Sequence, residues 1–136
     1  ESSGIGIACI TAQFFNCPVV FAKKSKSKVL EDDFYSASAF SFTHGNRNDL
    51  IVRQEFLSQT DRILIIDDFL ANGEALKALL DIAGQAGCTV CGAGIIIEKA
   101  FQKGGDEIRS RGVRIESLAR IASMDEHGIT FIPDGK

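Results

Sequence analysis

The chain of 136 residues contains no apolar run of the roughly eighteen residues that a membrane-spanning helix requires, and its start lacks the basic flank and apolar stretch of a secretory signal. A soluble cytoplasmic protein is therefore the expectation. Charge of one sign is also missing. The formal net charge is −3 and the isoelectric point lies near 5.4, which gives no general attraction to nucleic acid or to an anionic membrane. Cysteine is sparse, at four residues, in a chain with enough Ile, Leu, Val, Ala and Phe to fold without disulfides. Cys9, Cys17, Cys88 and Cys91 read as reduced thiols and small buried hydrophobes. Histidine is rarer still. His44 and His127 lie in polar, glycine-containing turns with no accompanying nucleophile, so neither is assigned a catalytic role. The single methionine is Met124 and the chain opens at Glu1 inside what reads as a motif, so the natural start is expected to lie upstream. No internal repeat or low-complexity segment interrupts the sequence.

What is present suffices for one globular domain with a single core over residues 1–136, since 45% of the side chains are hydrophobic and 24% charged. Ile5, Ile7, Ala8, Ile10, Ala12, Phe14 and Phe15 predict a largely buried helix that Asn16 and Pro18 stop. Val19 to Ala22 reads as a short buried strand, and Lys23, Lys24, Lys26 and Lys28 as a flexible basic loop. Phe34 to Phe42 alternates as a strand does. The turn formers from Thr43 to Asp49 precede Leu50-Ile51-Val52, which predicts a hairpin standing off the body. Ile63 to Ile66 has the unbroken branched character of a strand covered on both faces. Glu74 to Ala86 carries a helical stripe with a stop at Gly87. Val90 to Ile97 reads as another buried strand, Asp106 to Ser110 as a short helix, and Val113 to Glu116 and Ile129 to Ile132 as weaker strands. Alternating strands and helices predict a doubly wound α/β domain with its ligand at the carboxyl ends of the strands.

The chemistry concentrates in I-L-I-I-D-D-F-L-A-N-G-E-A, residues 63–75. Two carboxylates at a strand tip accept hydrogen bonds from vicinal sugar hydroxyls, directly or through a Mg2+ shell that prefers oxygen ligands. The small-residue turn Ala71-Asn72-Gly73 and the helix start after it offer unpaired N–H groups and a positive dipole end to a phosphate. A sugar phosphate satisfies both halves. On spacing alone a second reading stays open, in which Asp67 and Asp68 terminate a strand and cap a helix.

The same segment resembles the diphosphoribosyl-binding motif of type I phosphoribosyltransferases. E-S-S-G-I at the start, V-V-F-A-K-K, Y-S-A-S-A-F-S-F-T, I-I-I-E-K-A-F-Q and R-I-E-S-L-A-R-I extend the resemblance over nearly the whole chain, toward the members that act on xanthine. It implies the type I phosphoribosyltransferase fold, a doubly wound, mostly parallel sheet with a protruding hood hairpin over Ser25 to Phe42. It implies that Ala71, Asn72, Gly73, Glu74 and Ala75 hold the 5-phosphate of 5-phosphoribosyl 1-diphosphate while Asp67 and Asp68 meet the ribose diol. Ser2, Ser3 and Gly4 match the diphosphate loop, with Ile5 beginning the next helix; from the letters alone they read as a helix cap. Lys23 and Lys24 match a basic pair that reaches the diphosphate. The family has Arg before Lys, so Lys23 lacks the guanidinium fork.

By the same resemblance Lys99 donates a hydrogen bond to an exocyclic oxygen of the purine, which favours xanthine; its bland reading is a snorkelling strand-end lysine paired with Glu98. Phe69 or Phe101 is placed to lie against the base. Mg2+ accompanies the diphosphate, and the assembly is expected to be a homodimer with neither membrane nor nucleic-acid partner. Cys88-Thr89-Val90-Cys91 has a C-x-x-C form. It lies where a helix ends and a strand begins, so the helix dipole has the wrong sign for a thioredoxin-like pair, and zinc would need two further ligands nearby. Two rivals remain: a diphosphoribose-sensing purine-operon regulator of the same fold, and a transferase for hypoxanthine, guanine or adenine.

Overall fold

In the computed structural model, which describes residues 2–25, 33–41 and 46–133, the chain forms α1 (Ser2–Phe15), β1 (Lys23–Ser25), β2 (Phe34–Ser41), β3 (Asn46–Arg53), β4 (Arg62–Leu70), α2 (Glu74–Ala86), β5 (Thr89–Lys99), α3 (Gly104–Ser110), β6 (Ile115–Asp125) and β7 (Gly128–Phe131). A turn of 3-10 helix, Gln54–Phe56, follows β3. The larger sheet has the order β4-β5-β6-β7, with the first three strands parallel and β7 antiparallel at the edge. The smaller sheet, β1-β3-β2, is antiparallel.

The helix α2 joins the two sheets. Leu76 packs with Ile65, Leu70, Ala93, Ile95, Ile108 and Ile115 of the larger sheet and α3, whereas Ala78 and Ile82 pack with Ala37, Ala39, Leu50 and Val52 of β2 and β3. Two apolar stripes on one helix thus serve two cores. The bounds of α2 coincide with those expected from its periodicity. Its stop is a Schellman turn: Gly87 has φ +72°, its N–H reaches the Gly84 carbonyl at 3.1 Å, and the Cys88 N–H reaches the Ala83 carbonyl at 3.0 Å. Helix α1 ends in the same way, with Asn16 at φ +50° and the Cys17 N–H on the Ala12 carbonyl at 3.2 Å.

Several expectations are corrected by the tertiary packing. The β2–β3 hairpin lies on α2. Gln85 Nε2 donates to the Ser36 carbonyl at 2.8 Å, and the Ser36 N–H returns to Gln85 Oε1 at 3.3 Å, so the side-chain amide clamps the strand. Asn46 to Asp49, dense in turn formers, belong to β3 because β2 supplies a ladder from Phe34↔Arg53 to Ser41↔Asn46. Val19 to Ala22 form no strand, and Val20 and Phe21 are exposed. Helix α1 packs against β4 but is not buried: Ile10, Phe14 and Phe15 are 62%, 86% and 65% exposed. The apolar run of β4 is not covered on both faces either, since Leu64 is 42% exposed. Strand β6 runs eleven residues, far beyond the short stretch that its own letters suggested. Lys26, Lys28, Phe42 and His44 lie outside the described residues.

Candidate active site

The acid pair does not terminate its strand. Strand β4 continues to Leu70, with Asp67 opposite Ile95, Phe69 opposite Ile97 and Leu70 opposite Glu98 on β5. Among the described residues β5 is the only strand partner of β4. The two carboxylates are tied locally, the Asp68 N–H donating to Asp67 Oδ1 at 3.0 Å and the Phe69 N–H to Asp68 Oδ1 at 2.9 Å. Their environments push them apart in acidity. Burial raises the Asp67 carboxyl to about 6, and the neighbouring Asp68 charge adds to the shift against the lowering effect of the Asp68 N–H. Burial acts on Asp68 too, yet hydrogen bonds from the Ser3 hydroxyl, from Asp67 and from the Phe69 N–H outweigh it and hold Asp68 below its usual range. One acid is fully ionised at neutral pH and the other sits nearer its titration point.

Ser3 therefore reaches the acid pair, as does Gly4. A Cβ on Gly4 would stand 3.4 Å from Asp67 Oδ1 and 3.7 Å from the Ile66 carbonyl, so this buried glycine lets the α1 backbone lie close over the acids. Residues Ser2 to Gly4 are already helical and form the first turn of α1; the expected loop with a helix starting at Ile5 is corrected. Gly4, Asp67, Asp68, Phe69, Ala75 and Lys24 all border one cavity of about 1070 Å³. Lys23 does not border it. On β1 the two lysines pair with Ile51 and Leu50 and so project to opposite faces.

After Leu70, the bend Ala71-Asn72 and Gly73 lead into α2. Gly73 has φ +78°, which places its peptide in the left-handed region that glycine adopts without strain. No side chain caps this helix start, and the first N–H inside the ladder is that of Lys77, bonded to the Gly73 carbonyl at 2.8 Å. The N–H groups of Glu74, Ala75 and Leu76 thus have no intrahelical acceptor and present an anion site with the positive end of the helix dipole. The Glu74 carboxylate, which would repel an anion, is held by Lys77 Nζ at 3.2 Å, and the same ammonium reaches Glu107 of α3 at 2.7 Å.

Lys99 closes β5, with its ammonium 5.9 Å from the centre of the Phe69 ring; Phe69 and Phe101 are each 48% exposed. The Lys99–Glu98 pair considered from the sequence does not form. Glu98 is 1% exposed, and its carboxylate accepts from Arg109 Nη1 at 2.6 Å, Arg109 Nη2 at 2.7 Å, Ser117 Oγ at 2.7 Å and Arg120 Nε at 3.2 Å. Burial opposes its ionisation, but Arg109, Ser117 and Arg120 prevail and hold the acid at about 2. Lys99 is left without a carboxylate partner among the described residues. Glu98, Arg109, Lys77 and Gly104 were missed as parts of this site. Their only sequence signals were an acid beside Lys99 and the Gly104-Gly105 dipeptide, which read as an ordinary loop.

The cysteines are corrected as well: Cys9, Cys17 and Cys91 are exposed, and Cys88 is partly buried with its thiol on the Ser58 carbonyl at 3.3 Å. Among the described residues no three His, Cys, Asp or Glu side chains converge in a way that could hold a metal, and no helix is long and apolar enough to cross a membrane.

No family model matches the chain. It is 52% identical over 132 residues to the xanthine phosphoribosyltransferase of Lachnoclostridium phytofermentans, covering 97% of this chain and 68% of that protein. The xanthine phosphoribosyltransferase of Finegoldia magna is 52% identical over 131 residues, covering 96% of this chain and 69% of its own. Among solved structures, the adenine phosphoribosyltransferase of Thermoanaerobacter pseudethanolicus has a TM-score of 0.74 at 22% identity, covering 88% of this chain and 66% of that one. The Saccharomyces cerevisiae adenine phosphoribosyltransferase, solved with an imino-altritol bisphosphate and adenine, has a TM-score of 0.73 at 18% identity, covering 87% of this chain and 63% of that one. The chain spans about two thirds of the length of these relatives. The structural matches bear out the expected fold class, with its parallel-dominated sheet.

Proposed function

We infer that this chain, which belongs to the xanthine phosphoribosyltransferase family, transfers the 5-phosphoribosyl group of 5-phosphoribosyl 1-diphosphate to xanthine, giving xanthosine 5'-monophosphate and diphosphate in purine salvage. The observation that carries this reading is the juxtaposition of an unequal acid pair with an uncapped helix start a few residues on. In the proposed arrangement the 5-phosphate lies against the N–H groups of the loop from Ala71 to Ala75, and the ribose diol donates to Asp67 and Asp68. Ser3 and Gly4, at the first turn of α1, lie beside the acids, where the diphosphate end of the substrate would enter. Ser2 completes that turn, and Lys24, which borders the cavity, would offset the charge of the leaving diphosphate, whereas Lys23 lies on the other face of β1 and is given no such part.

The reaction needs no covalent nucleophile. A purine ring nitrogen displaces diphosphate at the anomeric carbon, through a state in which positive charge gathers on the sugar; the chain's part is orientation and electrostatic stabilisation. Lys99, donor-only and without a carboxylate partner among the described residues, would donate to an exocyclic oxygen of xanthine, and adenine has no such acceptor to offer. Phe69 presents a half-exposed ring beside it, and Phe101, two residues on, is equally exposed.

Mg2+ fits the donor set in one way. Asp67 and Asp68 would supply oxygen ligands, and among the described residues no third acid joins them, so the ion would be held jointly with the diphosphate and would neutralise charge on the leaving group. We extend the reading to a cytoplasmic homodimer; the net charge of −3 supports the absence of a nucleic-acid partner.

Incorporation of radiolabelled xanthine, hypoxanthine, guanine or adenine into nucleotide, measured with phosphoribosyl diphosphate in excess, tests the assignment. Xanthine is expected to be incorporated fastest. A different preferred base would reassign Lys99, and no nucleotide from any base would favour the regulator.

A further inference from the structure

We propose that α3 sets the position of the phosphate loop, with Gly104 and Ile108 as the positioning residues. The inference rests on the reading of residues 71–75 as the 5-phosphate cradle. A Cβ built on Gly104 would collide with the Ala71 carbonyl oxygen, the Asn72 carbonyl carbon and, at 2.5 Å, the Gly73 nitrogen. All three are backbone atoms of the loop, and none can swing aside as the end of a flexible side chain does. The approach is reciprocal: a Cβ on Gly73 would meet Ile108 Cδ1 at 2.9 Å and the Gly104 Cα at 3.2 Å. The loop and the start of α3 therefore lie backbone on backbone, with the fully buried Ile108 as the prop beneath Gly73.

Gly104 is absent from the positive-φ residues, so its own conformation accepts an L side chain and no backbone strain demands glycine there. What demands it is the loop. Nor can α3 recede to make room, because it is held at two further points: Glu107 on Lys77 at 2.7 Å and Arg109 on the buried Glu98 at 2.6 Å. An added methyl must push the loop, and with it the N–H groups that would meet the phosphate. Misplacement on the order of 1 Å at such a site weakens its work by up to about a hundredfold.

The test uses the full chain, amide NMR spectra and titration with ribose 5-phosphate, read by the amides of residues 72–76. In the wild type these amides should shift on titration. Gly104→Ala should move the same amides before any ligand is added and weaken ribose 5-phosphate binding by about tenfold, while xanthine KM stays within about twofold. Ile108→Val, which removes only the methyl against Gly73, should weaken binding by roughly two- to fivefold with the fold intact. Gly84→Ala, on the open side of α2 with nothing within 4 Å, should change neither. Unmoved loop amides, or unchanged affinity in either folded variant, overturn the inference; if Gly104→Ala fails to fold, Ile108→Val decides alone. Wild-type amides that shift elsewhere would instead overturn the phosphate reading, and the inference with it.

Discussion

Two neighbourhoods meet at β4, and they are packed very differently. Around α2 and α3, Leu70, Leu76, Ile95 and Ile108 are at most 2% exposed, and even the charged Glu98 is sealed with its partners satisfied. Around α1, Phe14 is 86% exposed and a cavity of about 1070 Å³ separates parts of the helix from β4. Yet α1 is the more apolar helix by composition. What differs is whether surfaces of matching shape are brought against them, which no single segment specifies. The acids Asp67 and Asp68 lie on the border. One is shielded enough to be pushed up to about 6, and the other is held down by hydrogen bonds.

Five substitutions probe how differently the two neighbourhoods are packed and charged. A large effect should come from Glu98→Ala, which leaves a buried gap and takes the carboxylate from the partly exposed Arg109 and Arg120, and should lower stability by about 2–4 kcal/mol in urea denaturation. A loss under 1 kcal/mol would mean that the cluster is wet. Next, Leu76→Ala should destabilise by about 2–5 kcal/mol, whereas Phe14→Ser in the loose neighbourhood should stay within about 0.5 kcal/mol. Equal losses would show that α1 is buried in solution. Lys99→Ala should reduce xanthine kcat/KM by roughly 10- to 100-fold, equivalent to losing one charged hydrogen bond, with KM for phosphoribosyl diphosphate nearly unchanged. A matching fall for both substrates would remove the base-reading role.

The smallest expected effect on stability concerns Asp67. Its folded pKa, near 6, exceeds the ordinary 3.8, so the folded state binds the proton more tightly. The stability this contributes is full below about pH 4 and lost as pH rises through 6. Glu98 runs the other way. With its pKa near 2 instead of 4.5, its contribution is present above pH 4.5 and lost as pH falls toward 2. Asp67→Asn should therefore raise Tm at pH 7 by on the order of a few degrees and flatten the upper limb, while abolishing most transferase activity. A Tm that falls at pH 7 would show that the carboxylate is stabilising, against its burial.

How far each element was legible depended on how local its causes are. The bounds of α2 follow from a 3.6-residue stripe and a glycine stop, both written within thirteen residues and the one after. The acid pair and the small-residue turn were legible for the same reason. Strand β6 was not, because its length is set by ladder partners on two strands, on β5 from Ala93↔Ile115 to Lys99↔Ile121 and on β7 from Ile121↔Phe131 to Asp125↔Gly128, and the sequence R-I-E-S-L-A-R-I has no strand signal of its own strength. Asn46 to Asp49 misled for the opposite reason. Their turn propensity is real, and the facing strand overrode it. The exposed cysteines and α1 show the limit of hydrophobicity as a guide, since it reports a tendency to be covered without naming the cover.

Periodicity and turn chemistry sufficed for the alternation of strand and helix and for the small-residue turn after the acid pair, whereas Lys99, and the preference for Asp67 and Asp68 as ligands over a strand end, came from the likeness to a family's motifs. Packing, by contrast, gives Glu98 to Arg109 and so withholds it from Lys99, separates Asp67 from Asp68 in acidity, and brings Gly104 against the backbone of residues 71–73. Each of those depends on atoms many residues apart approaching within a few ångströms, where burial, charge and steric exclusion act together and sequence distance does not count.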